Sequence, residues 1–556
     1  MTGEGAPLPF ALVGAARLHG GTAWVTVACC LAASILAGVR WLRVAQLEHY
    51  LAGSVSRFAG RWWRSSVFNA VVATLAVAAA CISVAWPLVG VVTAAAVALG
   101  PKGLALRGRT SPLAWTRRLR VLAVVSAVLV VMVMVVGLVT GLASPLALLA
   151  ALGVPALVDL ACAVTAPVER RLSEPFVEAA TAKLQRVDPV VVGVTGSYGK
   201  TSTKGHIAHL VRPDRTVVAT PASFNNRVGL ARAVNEHLAD GTEVFVAEMG
   251  TYGPGEIAEL CRWCPPDIAV ITAIGPVHLE RFGTEARIVE AKSEILSRAA
   301  DVVLVVDDKR LAVLADGAAA EGRRVLRCST LDPAADVCVV RSPDGKRMSV
   351  RTHGRSVAEG VEVPPGVQPA NLACAVAVAL ALGVEPDAIA GRLGDLPPVE
   401  HRLHAVRAPS GTTILDDTYN ANPAGAGEAL AVLERATGAG EGAGAGEGAG
   451  AGAGELSGAP GAPRRVVVTP GMVELGPRQA EENRRFAAAC AEVATDLLVV
   501  GRTNRRALMA GAAAVHGARL TLCPVGRRDQ AVVWVRRNLG PGDAVLYEND
   551  LPDHYP

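Results

Sequence analysis

A chain of 556 residues has room for roughly three or four domains at ~150 residues each. A hydrophobic fraction of 51%, only 19% charged residues and a mean hydropathy of +0.36 are unusual for a water-soluble enzyme. A net charge of +4 gives no case for a nucleic-acid partner, and 11 scattered cysteines, several in apolar runs (Cys29, Cys30, Cys81, Cys162), exclude a secreted disulfide framework.

The apolar content is concentrated before residue 168. Thr22–Gly38, Val67–Trp86, Pro87–Gly100, Val121–Leu142 and Pro145–Val168 are candidate membrane spans, against a requirement of ~20 residues each. Pro87–Gly100 is short enough to be a re-entrant piece, so the count is four or five. The first run has no convincing cleavage site and more spans follow it, unlike a signal peptide. Arg40, Arg43, Arg57, Arg61 and Arg64 lie between the first two spans, and Lys102, Arg107, Arg109, Arg117, Arg118 and Arg120 form a second basic loop. With both loops cytoplasmic and five spans, everything after Val168 faces the cytoplasm. Asp159 lies inside the last span. It reads either as a functional intramembrane group or as a hydrated carboxylate near the interface.

A charged, helix-compatible linker, residues 169–188, precedes the central stretch PVVVGVTGSYGKTSTKGHIAHLV, Pro189–Val211. Its β-branched run suits a buried parallel strand. A tight Thr195-Gly196-Ser197-Tyr198-Gly199 turn follows, and Lys200-Thr201-Ser202 opens a helix. Strand, glycine turn and Lys-Thr at a helix start form a phosphate cradle. The glycines admit the phosphates to backbone N–H groups, the helix N-terminus favours anions, Lys200 neutralises charge and the Thr201 hydroxyl can hold Mg²⁺. The spacing departs from G-x-x-x-x-G-K-[ST] because Val194 replaces the first glycine. The stretch reads as an ATP site.

Strand-like runs at Glu243–Glu248, Ile268–Thr272, Val302–Val306 and Val337–Val340 then alternate with helical segments, as a largely parallel sheet requires. Prolines at Asp395-Leu396-Pro397-Pro398 mark a boundary. Strands at Thr412–Leu415, Val466–Thr469, Asp496–Val500 and Ala544–Tyr547 build a further unit. Residues 438–463, nearly all Gly, Ala and Glu, read as a flexible surface insertion. Cys261 and Cys264 form a lone C-x-x-C that reads as an inert buried pair rather than zinc or redox chemistry.

Four more signals stand near strand ends, where open α/β sheets bind ligands: Glu248 in VFVAEMG, His278 in ITAIGPVHLERFG, Lys292 in EAKSEIL, and DDTYNANP from Asp416. Singly, each has a bland reading as a structural residue.

GVTGSYGKTSTK, SFNNRVG, AEMG, ITAIGPVHLERFG, EAKSEI, NLACAVAVALALG, EHRL and DDTYNANP occur in the order found in the Mur ligase family, and most resemble its MurF-type members. The resemblance runs from about Val190 to Asp543 and is strongest through Pro423. It implies an ATP-dependent ligase that joins a carboxylate to an amine through an acyl phosphate. The expected fold is an N-terminal α-helical membrane domain (1–168) followed by α/β: a P-loop ATPase central domain (189–396) and a Rossmann-like C-terminal domain (397–556).

Carried over by position, the resemblance implies a nucleotide site of Thr195, Gly196, Ser197, Gly199, Lys200, Thr201 and Ser202, with Asn371 at adenine, Arg402 at the phosphates and Asp417 at the ribose. Thr201, Glu248, His278 and Lys292 would serve two Mg²⁺ ions, Lys292 as a CO₂-derived carbamate whose oxygens suit a hard cation. Lys200, Glu248, His278, Lys292 and Arg402 would be the catalytic set, and Asn225, Asn226, Tyr419 and Asn420 would lie at the substrates.

Two departures bear on the substrates. Candidate spans stand where the family has its UDP-sugar-binding domain, and the end reads YENDLPDHYP from Tyr547 where MurF-type enzymes tend to read KGSR. The carboxylate is therefore expected to be a small molecule or lipid-linked, on a cell-wall precursor. The rival readings are a peptide ligase of secondary metabolism or poly-amino-acid synthesis, and an ATPase driving transport or flipping. Oligomeric state is not legible.

Overall fold

The protein is described from a computed structural model covering residues 20–106, 112–397, 403–418, 421–436, 463–517, 519–552 and 554–556. Arg107, Arg109, Arg402, Tyr419, Asn420 and nearly all of the 438–463 insertion lie outside the described residues. The chain divides into two compact units, Met1–Leu172 with Leu551–Pro556, and Ser173–Asp550.

The first unit is helical: α1 Gly20–Leu47, α2 Ser54–Arg64, α3 Val67–Ile82, α4 Gly90–Leu99, α5 Arg117–Thr140, α6 Ala143–Leu152 and the start of α7 Val154–Val187. Among the described residues, Gly21–Leu47 and Arg117–Thr140 are each long and apolar enough to cross a membrane. The number rises to four if the bent pairs α2/α3 (110°) and α6/α7 (72°) each count as one span. The expected span Pro145–Val168 is thus broken at Gly153, just before Pro155, whose missing N–H cannot extend the preceding ladder. Residues 169–187 of the expected helix-compatible linker form the continuation of α7, which runs unbroken to Val187.

Several buried polar side chains of this unit bond to backbone. Thr26 Oγ1 donates to Pro87 O (2.6 Å), while the Arg40 guanidinium donates to Gly100 O (2.5 Å) and Ala98 O (3.1 Å). Arg40 thereby satisfies carbonyls at the C-terminal end of α4. These ties fasten the Pro87 turn that precedes α4, and the C-terminal end of α4 itself, to α1. Asp159 accepts from Val55 N (3.1 Å) and Ser56 N (2.8 Å), an anion on the first turn of α2. Of the two readings left open for Asp159, the geometry favours neither catalysis nor free hydration, since the carboxylate anchors a helix. In the same unit the chain's tail is seated on α1 and α2: Trp62 Nε1 donates to His554 O (2.7 Å), and His554 Nε2 pairs with buried Glu48 (3.0 Å).

The second unit holds two sheets among its described residues. Strands β1 Val190–Thr195, β2 Val217–Ala219, β3 Val244–Glu248, β4 Ile268–Ile271, β5 Asp301–Val305, β6 Arg324–Ser329, β7 Val337–Arg341, β8 Arg347–Thr352 and β9 Arg355–Glu362 lie in the order β2-β3-β1-β4-β5-β6-β7-β8-β9. Pairing is parallel through β7 and antiparallel thereafter. The central strands carry Val, Ile, Leu and Ala buried on both faces, the composition that helix-covered parallel strands require. After β1 the chain builds outward to β3 and β2 on one side, then crosses to β4 on the other. The C-terminal end of β1 is therefore the topological switch point, where such sheets bind ligands.

The second sheet orders β10 His404–Arg407, β11 Thr413–Asp417, β12 Arg465–Thr469, β13 Asp496–Val500, β14 Thr521–Val525 and β15 Ala544–Glu548 as β10-β11-β15-β12-β13-β14. It is parallel except for β10, which runs antiparallel to β11.

Candidate active site

Beyond Thr195 the chain turns sharply and enters helix α8, Lys200–Val211. Gly199 has φ 78°, and a Cβ there would overlap Asn371 Oδ1; a Cβ on Gly196 would overlap Thr272 Oγ1. Both positions must be glycine for the loop to close against its neighbours. Lys200 Nζ lies back along the loop, donating to Gly196 O (2.8 Å). Ser197 Oγ accepts from Gly275 N (2.9 Å) and donates to Gly275 O (3.1 Å), tying the loop to the segment that leads to His278.

Glu248, at the end of β3, is fully buried and accepts from three side chains: Thr201 Oγ1 (3.0 Å), Lys204 Nζ (3.0 Å) and Asn225 Nδ2 (3.0 Å). Asn226 caps the next helix by accepting from Gly229 N (2.9 Å). A cavity of about 60 Å³ is lined by Gly196, Ser197, Lys200, Asn225, Asn226, His278 and Lys292, with Gly250, Thr251, Tyr252, Glu256 and Val277 completing its wall.

Lys292, on the helix Glu285–Ser293, is buried, and its Nζ has no hydrogen-bond partner among the described residues. Burial, with the Lys200 charge adding to it, pulls its pKa well below that of an ordinary lysine. His278 sits at φ 57° with its Nδ1 bonded to Glu474 of the second-sheet region and its ring edge-on to Tyr252 at 5.0 Å. Arg281 donates to the other Glu474 oxygen (2.9 Å) and lies over the Tyr252 ring (4.6 Å). Burial alone would raise the Glu474 carboxyl, but the bonds from His278 and Arg281 outweigh it and hold the group at about 2.

The structure thus brings together the loop, Lys200, Asn225, Asn226, His278 and Lys292 in one cavity, and joins Glu248 and Thr201 to it through Asn225. Asn371 packs on Gly199, beside the loop. Asp417 ends β11 in the second sheet and is not among the residues lining the cavity. Thr195 and Ser202 are buried beneath the loop. Sequence reasoning missed Lys204 and Glu474. Lys204 was findable, since it stands one turn after Lys200 on the same face of α8. Glu474 gave no signal, being 196 residues from His278.

The loop fits a nucleotide phosphate, by its glycine clearances and its lysine. The Glu248 carboxylate and the Thr201 hydroxyl are oxygen donors of the kind Mg²⁺ takes. Among the described residues no three His, Cys, Asp or Glu side chains converge as a metal site.

The UDP-N-acetylmuramoyl-tripeptide–D-alanyl-D-alanine ligase of Mycobacterium bovis is 32% identical over 390 residues, covering 66% of this chain and 72% of that one. The chain belongs to the Mur ligase family. The Mur ligase middle domain matches residues 194–379, the region that carries the loop, Glu248, His278 and Lys292. The ligase of the same description from Bacillus subtilis is 31% identical, over 47% of this chain and 56% of its own length. Among solved structures, the MurF ligase of Thermotoga maritima in complex with ADP superposes with a TM-score of 0.54 and 26% identity, over 68% of this chain and 80% of that one. This Mur ligase is of the MurF type, an ATP-dependent acid–amino-acid ligase of the peptidoglycan-building kind.

Proposed function

We propose that this Mur ligase is anchored in the membrane by residues 1–168 and works at the cytoplasmic face. There it joins the carboxylate of a cell-wall precursor to an amino acid or dipeptide through an acyl phosphate. Residues 189–396 would form the ATP-binding domain and 397–556 the C-terminal ligase domain. One observation carries the chemistry: Lys292 and Lys200 face a single cavity, and burial favours the neutral Lys292 amine.

A neutral amine is the form that adds CO₂, forming an N–C bond and releasing a proton to leave a carbamate. That group would turn Lys292 from a cation into an oxygen ligand. Thr201, Glu248, His278 and the modified Lys292 would hold Mg²⁺, which supplies charge neutralisation as one anion attacks another. Lys200 and the α8 N-terminus steady the phosphates, with Asn371 beside them. Arg402 and Asp417 would close on the nucleotide from the C-terminal side, and Asn225, Asn226, Tyr419 and Asn420 would border the reacting groups. Closure of the two sheet regions would keep water from the acyl phosphate before the amine arrives.

Membrane anchoring is supported by the outward face of the helical unit, where Ile35 (61% exposed), Leu75 (58%), Val124 (62%) and Met132 (57%) stand beside many smaller apolar side chains. Trp24 and Trp86 are exposed at the Thr26 end, and Trp115 at the other, as interfacial belts would be.

The test is a screen of amino acids and dipeptides against candidate carboxylates, with mass spectrometry of the products. Phosphate release is expected only when both a carboxylate and an amine are present. ATP turnover indifferent to both, but coupled to movement of a lipid or solute across vesicles, would replace this reading with the transporter one.

A further inference from the structure

The helical unit contains a cavity of about 520 Å³ that the ligase chemistry does not use. One wall is a stripe of α3: Ala70, Ala73, Thr74 and Val77 fall at i, i+3, i+4 and i+7, one face of a helix. Their small side chains leave the space, and Ala70, Thr74 and Val77 are exposed, so the cavity opens to the outside of the unit rather than being sealed within it. Trp41 and Trp63 line it further, and Arg64 of α2 lines it too.

Arg64 has an unusual situation. Its guanidinium lies near Gly60, 3.5 Å from where a Cβ would stand, and it makes no hydrogen bond or ion pair with any described residue. Between residues 20 and 168 the sequence has two acids, Glu48 and Asp159. Both are buried and already bonded, one to His554 and the other to the start of α2. An apolar slot with an unpaired cation at its edge is complementary to an amphiphile with an anionic head.

We propose that this cavity binds one hydrocarbon chain of a membrane lipid whose phosphate head is held by Arg64. The inference rests on the membrane reading above and extends it to a specific lipid site. The volume is within the ~300–1,000 Å³ range of ligand pockets, and the lining is apolar with one charged group to orient the ligand. The occupant is a lipid rather than free phosphate, because Ala70, Ala73 and Val77 offer a phosphate ion no hydrogen bond, and an ion alone would leave the slot empty.

The full chain, in bilayer discs holding equal phosphatidylglycerol and phosphatidylcholine, is released into mild detergent and weighed by native mass spectrometry. One retained phosphatidylglycerol per chain is expected, preferred about five-fold over phosphatidylcholine, the size of effect one arginine gives at an anionic headgroup. Arg64→Gln should bring the two lipids to parity. Ala73→Phe should abolish retention of either, with an unchanged circular dichroism spectrum as the control for folding. Equal retention of both lipids by the native protein, full preference in Arg64→Gln, or displacement of the lipid by millimolar inorganic phosphate would each overturn the proposal. Flotation with phosphatidylcholine vesicles separates the two readings: a chain that does not float loses the membrane reading, and one that floats but retains no selected lipid loses only this site.

Discussion

The two units bury charge for opposite ends. In the helical unit Arg40, Asp159 and Glu48 are spent on helix termini and the chain's tail, leaving an outward surface of Val, Leu and Ile. In the ligase unit the outward surface is polar, and the buried charges Glu248, Lys204 and Lys292 cluster at one strand-end crevice. A buried charge that holds backbone is architecture, whereas buried Lys292 faces the same cavity as Lys200, at the candidate site. The helical unit carries apolar side chains on its outward surface as well as in its core, an inside-out pattern at the surface that supports the membrane reading proposed above.

The sharpest break in this comparison comes from deleting one buried charge on each side. Lys292→Ala should lower ligation by at least ~10³-fold, about 4 kcal/mol of barrier, with nucleotide binding and fold retained. Full activity in that variant would remove the carbamate assignment. Next, the same surface change should behave differently in the two units. Val135→Arg, on the outward face of α5, should cost ~3 kcal/mol in membrane insertion, read by a glycosylation-tag insertion assay. Val313→Arg, equally outward but in the ligase unit, should move stability by no more than about 0.5 kcal/mol in urea unfolding. If both are neutral, the inside-out description fails.

Asp159→Ala should cost ~1.5–3 kcal/mol by leaving two first-turn N–H groups of α2 without their charged acceptor, seen as a lower melting temperature of the detergent-solubilised chain without change in ligation. A separate effect is a pH dependence from one buried carboxyl of the ligase unit. Burial pushes Glu548 up from 4.5 to about 8, against the Thr469 bond and with the Asp417 charge adding to the rise. A raised folded-state value means its contribution is complete below pH 4.5 and is lost as pH rises through about 8. The melting temperature should therefore fall across that window, and Glu548→Gln should flatten the fall.

Much of the site was legible because its residues sit on features with a strong local signature. The Val190–Thr195 strand, the glycine turn and the Lys-Thr start emerged from one continuous stretch, and Glu248 ends a run of buried residues as a strand-end ligand should. Strands β3, β4, β5 and β7 were found within a residue or two for the same reason, whereas β2 and β6 were not foreseen. The β8–β9 hairpin was not foreseen, because β8 alternates on only two apolar residues, Met348 and Val350, and β9 is mostly exposed. Neither was β14, whose Thr-Leu-Cys-Pro-Val is short and holds a proline. The continuity of α7 across Pro167 and Pro175 runs against local propensity, so composition alone suggested a span and then a linker. Glu474 meets His278 only through tertiary structure, and no spacing announces it.

The reciprocal pair of bonds between Ser197 and Gly275 has a mechanical corollary. Three residues past Gly275 stands His278, which grips Glu474 in the region of the second sheet. On the nucleotide-site reading proposed above, a triphosphate that shifted the loop would pull on this short stretch of main chain, whose far end is bonded to Glu474. Nucleotide occupancy and the posture of the second-sheet region would then share one lever, with the serine hydroxyl as its fulcrum.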